Sequence, residues 1–234
     1  MKNILAAFLV LALQSNALAA KVALYSGAGV WSPSLKHTEK LLWTMGHDTL
    51  RLTAKDILAG RLDFGDINAI VMPGGKSWLY RDDLGVAGGE NIRRFVERGG
   101  GYIGFCAGAF FATRLREGGN TTGPYGIGLL DGTAVDPESL GFPGYQKGMK
   151  TITYHLADFK EKYRVIYLAG PIFRYSQEEA AKKNIQVNST YWDGQVAGIH
   201  FQYGNGHVYL SGPHPEVEER LNLLLALTRP DPDS

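Results

Sequence analysis

The segment that decides the fold is Gly100-Gly-Tyr-Ile-Gly-Phe-Cys-Ala-Gly108, in which a short apolar run leads into a cysteine between small residues. The run Tyr102–Phe105 predicts a buried β-strand, and the residues after it predict a tight turn into a helix. Gly104 and Gly108 allow the chain to turn sharply, so that the side chain of Cys106 projects from the turn. A strand, a turn and a helix in this order are one unit of an α/β fold.

Strands and helices alternate in the first half of the chain. Four short apolar runs predict strands at Lys21–Ser26, Thr49–Leu52, Ala69–Met72 and Tyr102–Phe105. Apolar residues at helical spacing predict helices over Ser34–Met45 and Glu90–Arg98. This alternation implies parallel strands joined by right-handed crossovers, with helices on both faces of a doubly wound sheet.

The pattern changes after about residue 120. Because Thr121–Gly148 is rich in Gly and Pro, we expect a long irregular segment there. We expect residues 117–148, which include Tyr125, Phe142 and Tyr145, to form a lid or a partner surface, since long ordered loops are often functional. Strands are predicted at Lys150–Leu156 and Arg164–Leu168. A β-meander is predicted at Thr190–Ala197, Ile199–Tyr203 and His207–Ser211, with turns at Asp193-Gly194 and Gly204-Asn205-Gly206. A final helix is predicted over Pro215–Leu227. No repeat or linker divides the chain, so residues 20–234 are expected to form one domain.

The N-terminus has the pattern of an export signal. Lys2 is followed by the uncharged run Ile4–Leu13, and Ala17-Leu-Ala19 fits a small-x-small cleavage site. Ten apolar residues make a helix of only about 15 Å, roughly half the thickness of a bilayer core, so we expect no permanent membrane span. We therefore expect residues 1–19 to be removed and the mature protein to be periplasmic or secreted.

Composition excludes several classes of protein. The formal net charge of +1 provides no dense basic surface for nucleic acid. A single cysteine excludes an intrachain disulfide and a zinc site built mainly on thiolates. His200 and His207 have no nearby third ligand, and Gly74–Ser77 lacks the upstream glycine of a phosphate-binding loop. We expect no metal and no cofactor.

Cys106 and the segment His214-Pro-Glu216 form a candidate catalytic group. A thiolate nucleophile needs a base, and the base needs an acceptor that orients it. His214 is the candidate base and Glu216 the candidate orienting carboxylate. The alternatives are a buried inert cysteine, and a helix start at which Glu216 interacts only with the helix dipole.

The third cluster is Met72-Pro-Gly-Gly-Lys76, which follows the third predicted strand. Ligands of open α/β sheets bind at the carboxyl ends of the strands. We expect Gly74 and Gly75 to contact the substrate, with the N–H groups of Gly75 and Ala107 forming an oxyanion hole. The nearby side chains of Trp78, Tyr80 and Arg81 are candidates to line the pocket, Arg81 as a partner for a substrate carboxylate.

These motifs, in this order, resemble the class I glutamine amidotransferase-like superfamily. The segments 72–75, 100–113 and 203–216 are similar, more narrowly, to the biotin–protein ligase N-terminal domain family, over roughly residues 21–228. The resemblance implies a flavodoxin-like α/β fold, here with an added C-terminal β-meander, and a triad of Cys106, His214 and Glu216. It does not imply biotin ligation, because that chemistry belongs to a separate C-terminal domain, which we expect to be absent from this chain.

The leading hypothesis is an exported cysteine-dependent amidohydrolase that acts on a small-molecule or peptide-like substrate. Cys106 would attack the carbonyl carbon, and His214 would protonate the leaving amine and then activate water. One alternative is a non-catalytic binding module that keeps the fold, and another is a redox sensor in which Cys106 is oxidised to sulfenic acid. Alkylation by iodoacetamide near pH 6 separates the first two, because an inert buried thiol does not react.

Overall fold

The computed structural model describes residues 19–119, 122–146, 148, 150–156 and 162–217. The described part contains thirteen strands: β1 (Lys21–Tyr25), β2 (Asp48–Leu52), β3 (Ala69–Met72), β4 (Gly101–Phe105), β5 (Thr113–Glu117), β6 (Gly123–Pro124), β7 (Leu130–Val135), β8 (Lys150–Leu156), β9 (Lys162–Tyr167), β10 (Ile172–Tyr175), β11 (Gln186–Tyr191), β12 (Val196–Tyr203) and β13 (Gly206–Ser211). Its α-helices are α1 (Ser32–Thr44), α2 (Ala54–Leu58), α3 (Ser77–Glu97), α4 (Ala107–Ala112) and α5 (Gln177–Lys183). Short 3-10 turns lie at Arg61–Asp63 and Pro215–Val217.

Nine strands form the main sheet, in the order β2-β1-β3-β4-β13-β12-β11-β8-β9. The five strands from β2 to β13 are parallel to their neighbours, and pairing becomes antiparallel from β13 onward. The order 2-1-3-4 is that of a flavodoxin-like doubly wound sheet. The predicted fold class is therefore confirmed, including the β-meander, which extends the parallel part of the sheet.

Both faces of the main sheet are buried, because side chains alternate along each strand. In β1, Ala23 and Tyr25 pack in one hydrophobic cluster with residues of α2, α3 and α4. Val22 and Leu24 pack on the opposite face with residues of α1. Helices therefore cover the sheet on two sides and leave the carboxyl ends of its parallel strands as an open edge.

A second sheet, in the order β10-β7-β5-β6, corrects the expectation that residues 121–148 are irregular. Gly123–Pro124 and Leu130–Val135 are strands of this sheet. The glycine content of this segment led us to predict irregular chain in place of β7. Gly132 is nevertheless required within the strand, because a Cβ atom at this position would lie 2.6 Å from the carbonyl oxygen of Arg174 on β10. Irregular chain is confined to the connections around these strands.

Other boundaries also differ from the prediction. The turn predicted at Asp193-Gly194 is confirmed, since residues 192–195 form the hairpin turn and Gly194 has a positive φ of 84°. The predicted segment Thr190–Ala197 is therefore divided between the end of β11 and the start of β12. The strand β10 and the helices α2 and α5 were not predicted. The helix predicted from Glu90 begins at Ser77 instead and includes a kink at Gly85.

Two predictions concern segments that lie wholly or mostly outside the described residues. The predicted signal sequence, residues 1–19, lies outside the described residues except for Ala19. Only Pro215–Val217 of the predicted final helix are described, and they form a 3-10 turn. No helix among the described residues is long and apolar enough to cross a membrane.

Candidate active site

Four loops meet at the carboxyl ends of the parallel strands. Trp31 follows β1, Gly75 follows β3, Cys106 follows β4, and His214 follows β13. All four residues line one cavity of about 200 Å³. The site lies beside β1, where the order of winding reverses, which is the usual ligand site of such a sheet.

Cys106 occupies a strained turn between β4 and α4. Its φ of 46° and ψ of −98° are rarely adopted by a residue with a side chain. A Cβ atom at Gly108 would lie 2.1 Å from the carbonyl oxygen of Met72, and one at Gly104 would lie 2.7 Å from the carbonyl carbon of Gly108. The two glycines therefore allow β3, β4 and α4 to approach closely enough to hold the turn.

His214 and Glu216 form a fully buried hydrogen-bonded pair. His214 Nδ1 lies 2.8 Å from Glu216 Oε1, and neither side chain is exposed to solvent. The backbone N–H of His214 donates to the carbonyl oxygen of Ile166 on β9, which fixes the segment against the sheet. The carboxylate orients the imidazole so that Nδ1 donates, and Nε2 has no hydrogen-bond partner among the described residues.

The electrostatic environment favours the protonated imidazole. Burial alone would lower the pKa of His214, but the negative charge of Glu216, together with Cys106, outweighs this effect and raises the pKa to about 10. Glu216 therefore favours the imidazolium form of His214, whose ring lines the same cavity as Cys106. A cation in this position stabilises a thiolate and can donate its proton to a leaving group.

Ser34 connects this pair to the Pro73–Gly75 loop. Its hydroxyl donates to Glu216 Oε1 at 2.7 Å and accepts a hydrogen bond from the N–H of Gly74 at 2.8 Å. The N–H of Gly74 is thus already paired within the protein, which corrects its expected role in substrate binding. Gly74 is needed for packing, since a Cβ atom there would lie 2.2 Å from Cε1 of His214. The sequence gives no local signal for Ser34.

The N–H groups of Gly75 and Ala107 have no acceptor among the described residues. Gly75 faces Val30 in an isolated antiparallel bridge. The hydrogen bonds of this bridge run from Trp31 to Gly74 and from Lys76 to Gly29, so the N–H of Gly75 points away from the partner segment. Ala107 is the first residue of α4, where an N–H has no intrahelical acceptor. Both donors are available beside Cys106.

Tyr80 and Arg81 do not line the cavity, contrary to expectation. Tyr80 is fully buried, and its hydroxyl donates to the carbonyl oxygens of Pro73 and Gly74 at 3.0 and 3.1 Å. Burial raises the pKa of Tyr80, which keeps this hydroxyl protonated as a donor. The side chain of Arg81 is 43% exposed and pairs with Asp82 at 3.3 Å. Trp78 does line the cavity, as predicted from its position after the glycine turn.

The cavity wall also contains residues that the sequence did not indicate. Its lining consists of Trp31, Gly75, Ser77, Trp78, Cys106, Phe110, Arg116, Asp136, Leu168, Ala169 and His214. Cys106 is only 5% exposed, and its Sγ donates to the carbonyl oxygen of Leu168 at 3.3 Å. Ala169, which follows Leu168, has a positive φ of 53°, so the backbone of the Leu168–Ala169 segment is strained where it covers the sulfur of Cys106.

The expected lid contributes less to the site than its length suggested. From residues 117–148, Asp136 lines the cavity, whereas Tyr125, Phe142 and Tyr145 do not. Arg116, which also lines the cavity, lies just before this range on β5. Tyr125 is buried behind the wall with its hydroxyl 2.7 Å from Ser77 Oγ, and Tyr145 packs among Tyr167, Tyr191 and Trp192. Within the described residues, no group of three or more His, Cys, Asp or Glu side chains is placed to hold a metal ion.

Residues 20–229 match the family described as "Biotin-protein ligase, N terminal". The chain belongs to this family. This member of the biotin-protein ligase N-terminal family is 26% identical over 210 residues to an uncharacterized protein of Chlamydia muridarum, covering 84% of this chain and 80% of that protein. It is also 27% identical over 168 residues to a biotin–protein ligase of Schizosaccharomyces pombe, covering 63% of this chain but only 25% of the ligase.

Solved structures place this family member in the glutamine amidotransferase-like fold. A structure described as a glutamine amidotransferase superposes with a TM-score of 0.63 at 16% identity, covering 88% of this chain and 97% of the other. A protein of Thermoplasma acidophilum, described as one of the subunits of a GMP synthase, superposes with a TM-score of 0.56 at 14% identity, covering 90% and 96%. At such low identity the likeness shows the fold alone.

Proposed function

We propose that the protein is a cysteine-dependent hydrolase that cleaves C–N amide bonds of small molecules, with Cys106 as nucleophile, His214 as acid and base, and Glu216 as the orienting carboxylate. The observation that carries this proposal is the convergence of Cys106 and His214 on one cavity, with the imidazole held by Glu216 at 2.8 Å. A nucleophile, a base and an orienting acceptor in this arrangement are the elements of covalent catalysis.

The first half of the reaction transfers the acyl group to sulfur. The Cys106 thiolate attacks the amide carbon, and the oxyanion that forms accepts hydrogen bonds from the N–H groups of Gly75 and Ala107. The imidazolium of His214 gives its proton to the amide nitrogen. The C–N bond then breaks, the amine leaves, and a thioester remains on Cys106.

The second half releases the acid. Neutral His214 accepts a proton from water while the water oxygen attacks the thioester carbon. The tetrahedral intermediate collapses with cleavage of the C–S bond, which regenerates the thiolate beside the imidazolium. The product is a carboxylic acid, and water is the co-substrate that balances the reaction.

The size of the cavity limits the substrate. A volume of about 200 Å³ lies below the roughly 300–1,000 Å³ of typical drug-binding pockets. We therefore favour a small amide, rather than a folded protein, as the molecule that reaches Cys106.

The thiol is the unique cysteine of the chain, so its labelling tests the proposal directly. Purified protein is treated with electrophilic amide and thioester probes, and adducts are counted by intact-mass spectrometry. We expect labelling of the wild type, none of Cys106→Ser, and labelling slowed about 10²-fold or more in His214→Asn. His207→Asn is the matched control, because His207 lies exposed on β13. Equal rates for the two histidine variants would contradict the assignment.

A non-catalytic binding module is the second candidate function. It is favoured by the low exposure of Cys106 and by the hydrogen bond from its Sγ to the carbonyl oxygen of Leu168, which engages the thiol in a closed site. This candidate predicts that ligands protect the protein from thermal unfolding, while no probe forms an adduct in the wild type.

We also propose that the protein acts outside the cytoplasm, after removal of residues 1–19. The support is the charged, apolar and small-residue pattern of this segment. Cell fractionation of a C-terminally tagged chain tests it. We expect the tagged protein in the periplasmic or extracellular fraction with Ala20 as its first residue, and cytoplasmic retention when Leu9 is replaced by Arg. Full-length protein in the cytoplasm of wild-type cells would refute this.

A further inference from the structure

A buried ion pair lies in the wall of the cavity and is not used by the proposed chemistry. Arg116 Nη2 contacts Asp136 Oδ2 at 2.9 Å, and the two side chains are 11% and 10% exposed. Burying an ion pair removes two charges from water, so such a pair contributes less to folding than well-packed apolar residues of the same volume. The fold alone therefore does not account for a charged pair beside the nucleophile.

Asp136 orients the guanidinium of Arg116 rather than offering itself to a ligand. Its Oδ2 accepts from Arg116, and its Oδ1 accepts from the N–H of Ser139 at 3.1 Å. Arg116 is further fixed by stacking over the rings of Phe110 at 4.5 Å and Tyr125 at 5.2 Å. A guanidinium held in this way keeps its remaining donors at fixed positions.

Those remaining donors are incompletely satisfied within the protein. Nη1 lies 3.2 Å from the hydroxyl of Tyr125 and 3.5 Å from that of Ser77. Nε is buried and has no hydrogen-bond partner among the described residues. Because Nε is closed off from the cavity, a ligand would contact Nη1 instead, whose long contacts to two neutral hydroxyls leave it able to donate to a carboxylate.

The start of α3 adds to the positive electrostatic potential that Arg116 produces in the cavity. Ser77 and Trp78, its first two residues, line the cavity, and the preceding residue, Lys76, provides no side-chain cap. The first N–H groups of an uncapped helix carry a partial positive charge. The residues that carry these N–H groups line the same cavity as Arg116, so both features favour a negative group there.

We propose that Arg116 is the specificity-determining residue of the site and binds a carboxylate of the substrate. The inference rests on the proposed hydrolase function, and it narrows the substrate to a small carboxylic acid whose amide carbonyl reaches Cys106. Arg116 takes the role that sequence analysis gave to Arg81, which lies at the surface and pairs with Asp82.

The first experiment measures the charge preference at Cys106 with three methanethiosulfonates: methyl (neutral), sulfonatoethyl (anionic) and trimethylammonioethyl (cationic). Because the chain has one cysteine, intact-mass spectrometry gives each rate directly. We expect the ratio of the anionic to the cationic rate to fall about ten-fold in Arg116→Gln. Arg81→Gln is the control and should stay within about two-fold of the wild type, and Arg116→Lys, which keeps the charge, should retain most of the preference.

The neutral reagent separates the two proposals. If the methyl reagent does not modify Cys106 while succinate still binds through Arg116, the hydrolase proposal fails and the carboxylate site stands. Succinate binding is measured by thermal shift at constant ionic strength, with succinamide as the uncharged equivalent. We expect succinate, but not succinamide, to raise the Tm of wild type, Arg81→Gln and Cys106→Ser, and not that of Arg116→Gln.

Two results would overturn the assignment of Arg116. One is an unchanged anionic-to-cationic ratio in Arg116→Gln together with an unchanged succinate shift. The other is an equal loss in Arg81→Gln, which would indicate a general surface field. If Arg116→Gln does not fold, Arg116→Lys decides the matter, because a site for a carboxylate predicts a weaker succinate shift there, and a purely structural ion pair predicts none.

Discussion

The hydroxyl of Ser34 donates a 2.7 Å hydrogen bond to Oε1 of Glu216, a residue 182 positions further along the chain. The same oxygen lies 2.8 Å from Nδ1 of His214, so the first helix orients the carboxylate that orients the imidazole. Ser34 also accepts from the N–H of Gly74. The position of His214 therefore depends on α1 and on the Pro73–Gly75 loop as well as on its own segment.

Replacing Ser34 with alanine tests this dependence. The change removes one donor to Glu216 and one acceptor for Gly74 in a fully buried site. We expect a loss of about 1–3 kcal/mol in the free energy of unfolding, because both partners lose their hydrogen bond without access to water. We also expect slower labelling of Cys106. Urea denaturation at pH 7 and intact-mass spectrometry measure the two effects.

Thr44→Ala is the matched control on the same helix. Thr44 Oγ1 also donates a hydrogen bond, but its acceptor is the backbone oxygen of Lys40 at 2.8 Å and the position is exposed. Its replacement should change the free energy of unfolding by no more than about 0.5 kcal/mol and leave labelling unchanged. Similar effects for the two alanine variants would mean that the link between Ser34 and Glu216 has no special role.

The raised pKa of His214 predicts how stability changes with pH. This pKa is about 10 in the folded protein, against 6.5 for an ordinary histidine. A group that binds its proton more tightly when folded contributes stability fully below pH 6.5, and this contribution is lost as the pH rises towards 10. We therefore expect the wild type to lose free energy of unfolding between about pH 6.5 and 10.

Glu216→Gln isolates this contribution, since the amide keeps the shape but removes the charge that raises the pKa of His214. The difference in free energy of unfolding between wild type and variant should be largest near pH 6 and shrink towards pH 10. Chemical denaturation of both proteins across this range gives the difference at each pH. Parallel curves would show that the carboxylate does not hold a proton on His214.

The parts of the site that the sequence predicted are encoded by local patterns. Gly104 and Gly108 flank Cys106 within five residues, and their spacing alone requires a tight turn at the end of a strand. His214 and Glu216 are two positions apart, so their hydrogen bond needs only one turn of chain. The alternation of strands and helices likewise fixed the winding of the sheet, because each unit is defined over about 30 residues.

The parts that were missed depend on contacts between distant segments. Arg81 was a plausible carboxylate partner because it follows the glycine turn, but its side chain leaves the cavity and pairs with Asp82. Arg116 reaches the cavity only because β5 pairs with β7 in the second sheet. The second sheet was not predicted because its segments are rich in glycine. If the pairing of these strands is unknown, no residue near Arg116 in the sequence indicates a site.

Gly108→Ala should destabilise the fold more than an ordinary glycine substitution. The new Cβ atom would lie 2.1 Å from the carbonyl oxygen of Met72, which belongs to the backbone of a central strand and has little room to move. We expect a loss of about 3 kcal/mol or more, measured by thermal or urea denaturation. Gly65→Ala provides the comparison, because Gly65 has a φ of 77° with open space around it. Only the cost of the left-handed backbone, about 1–2 kcal/mol, should appear there.

Tyr80→Phe should weaken the Pro73–Gly75 loop without removing any group that contacts the substrate. The lost hydroxyl donates to the carbonyl oxygens of Pro73 and Gly74 in a fully buried position. We expect a loss of about 1–2 kcal/mol in the free energy of unfolding and slower labelling by amide probes, because the loop carries the oxyanion donor Gly75. Tyr203→Phe is the control, since its hydroxyl accepts from Arg93 in a partly exposed site and lies away from the cavity. A Tyr80→Phe variant with unchanged labelling would show that Gly75 is held in place by the bridge to Val30 alone.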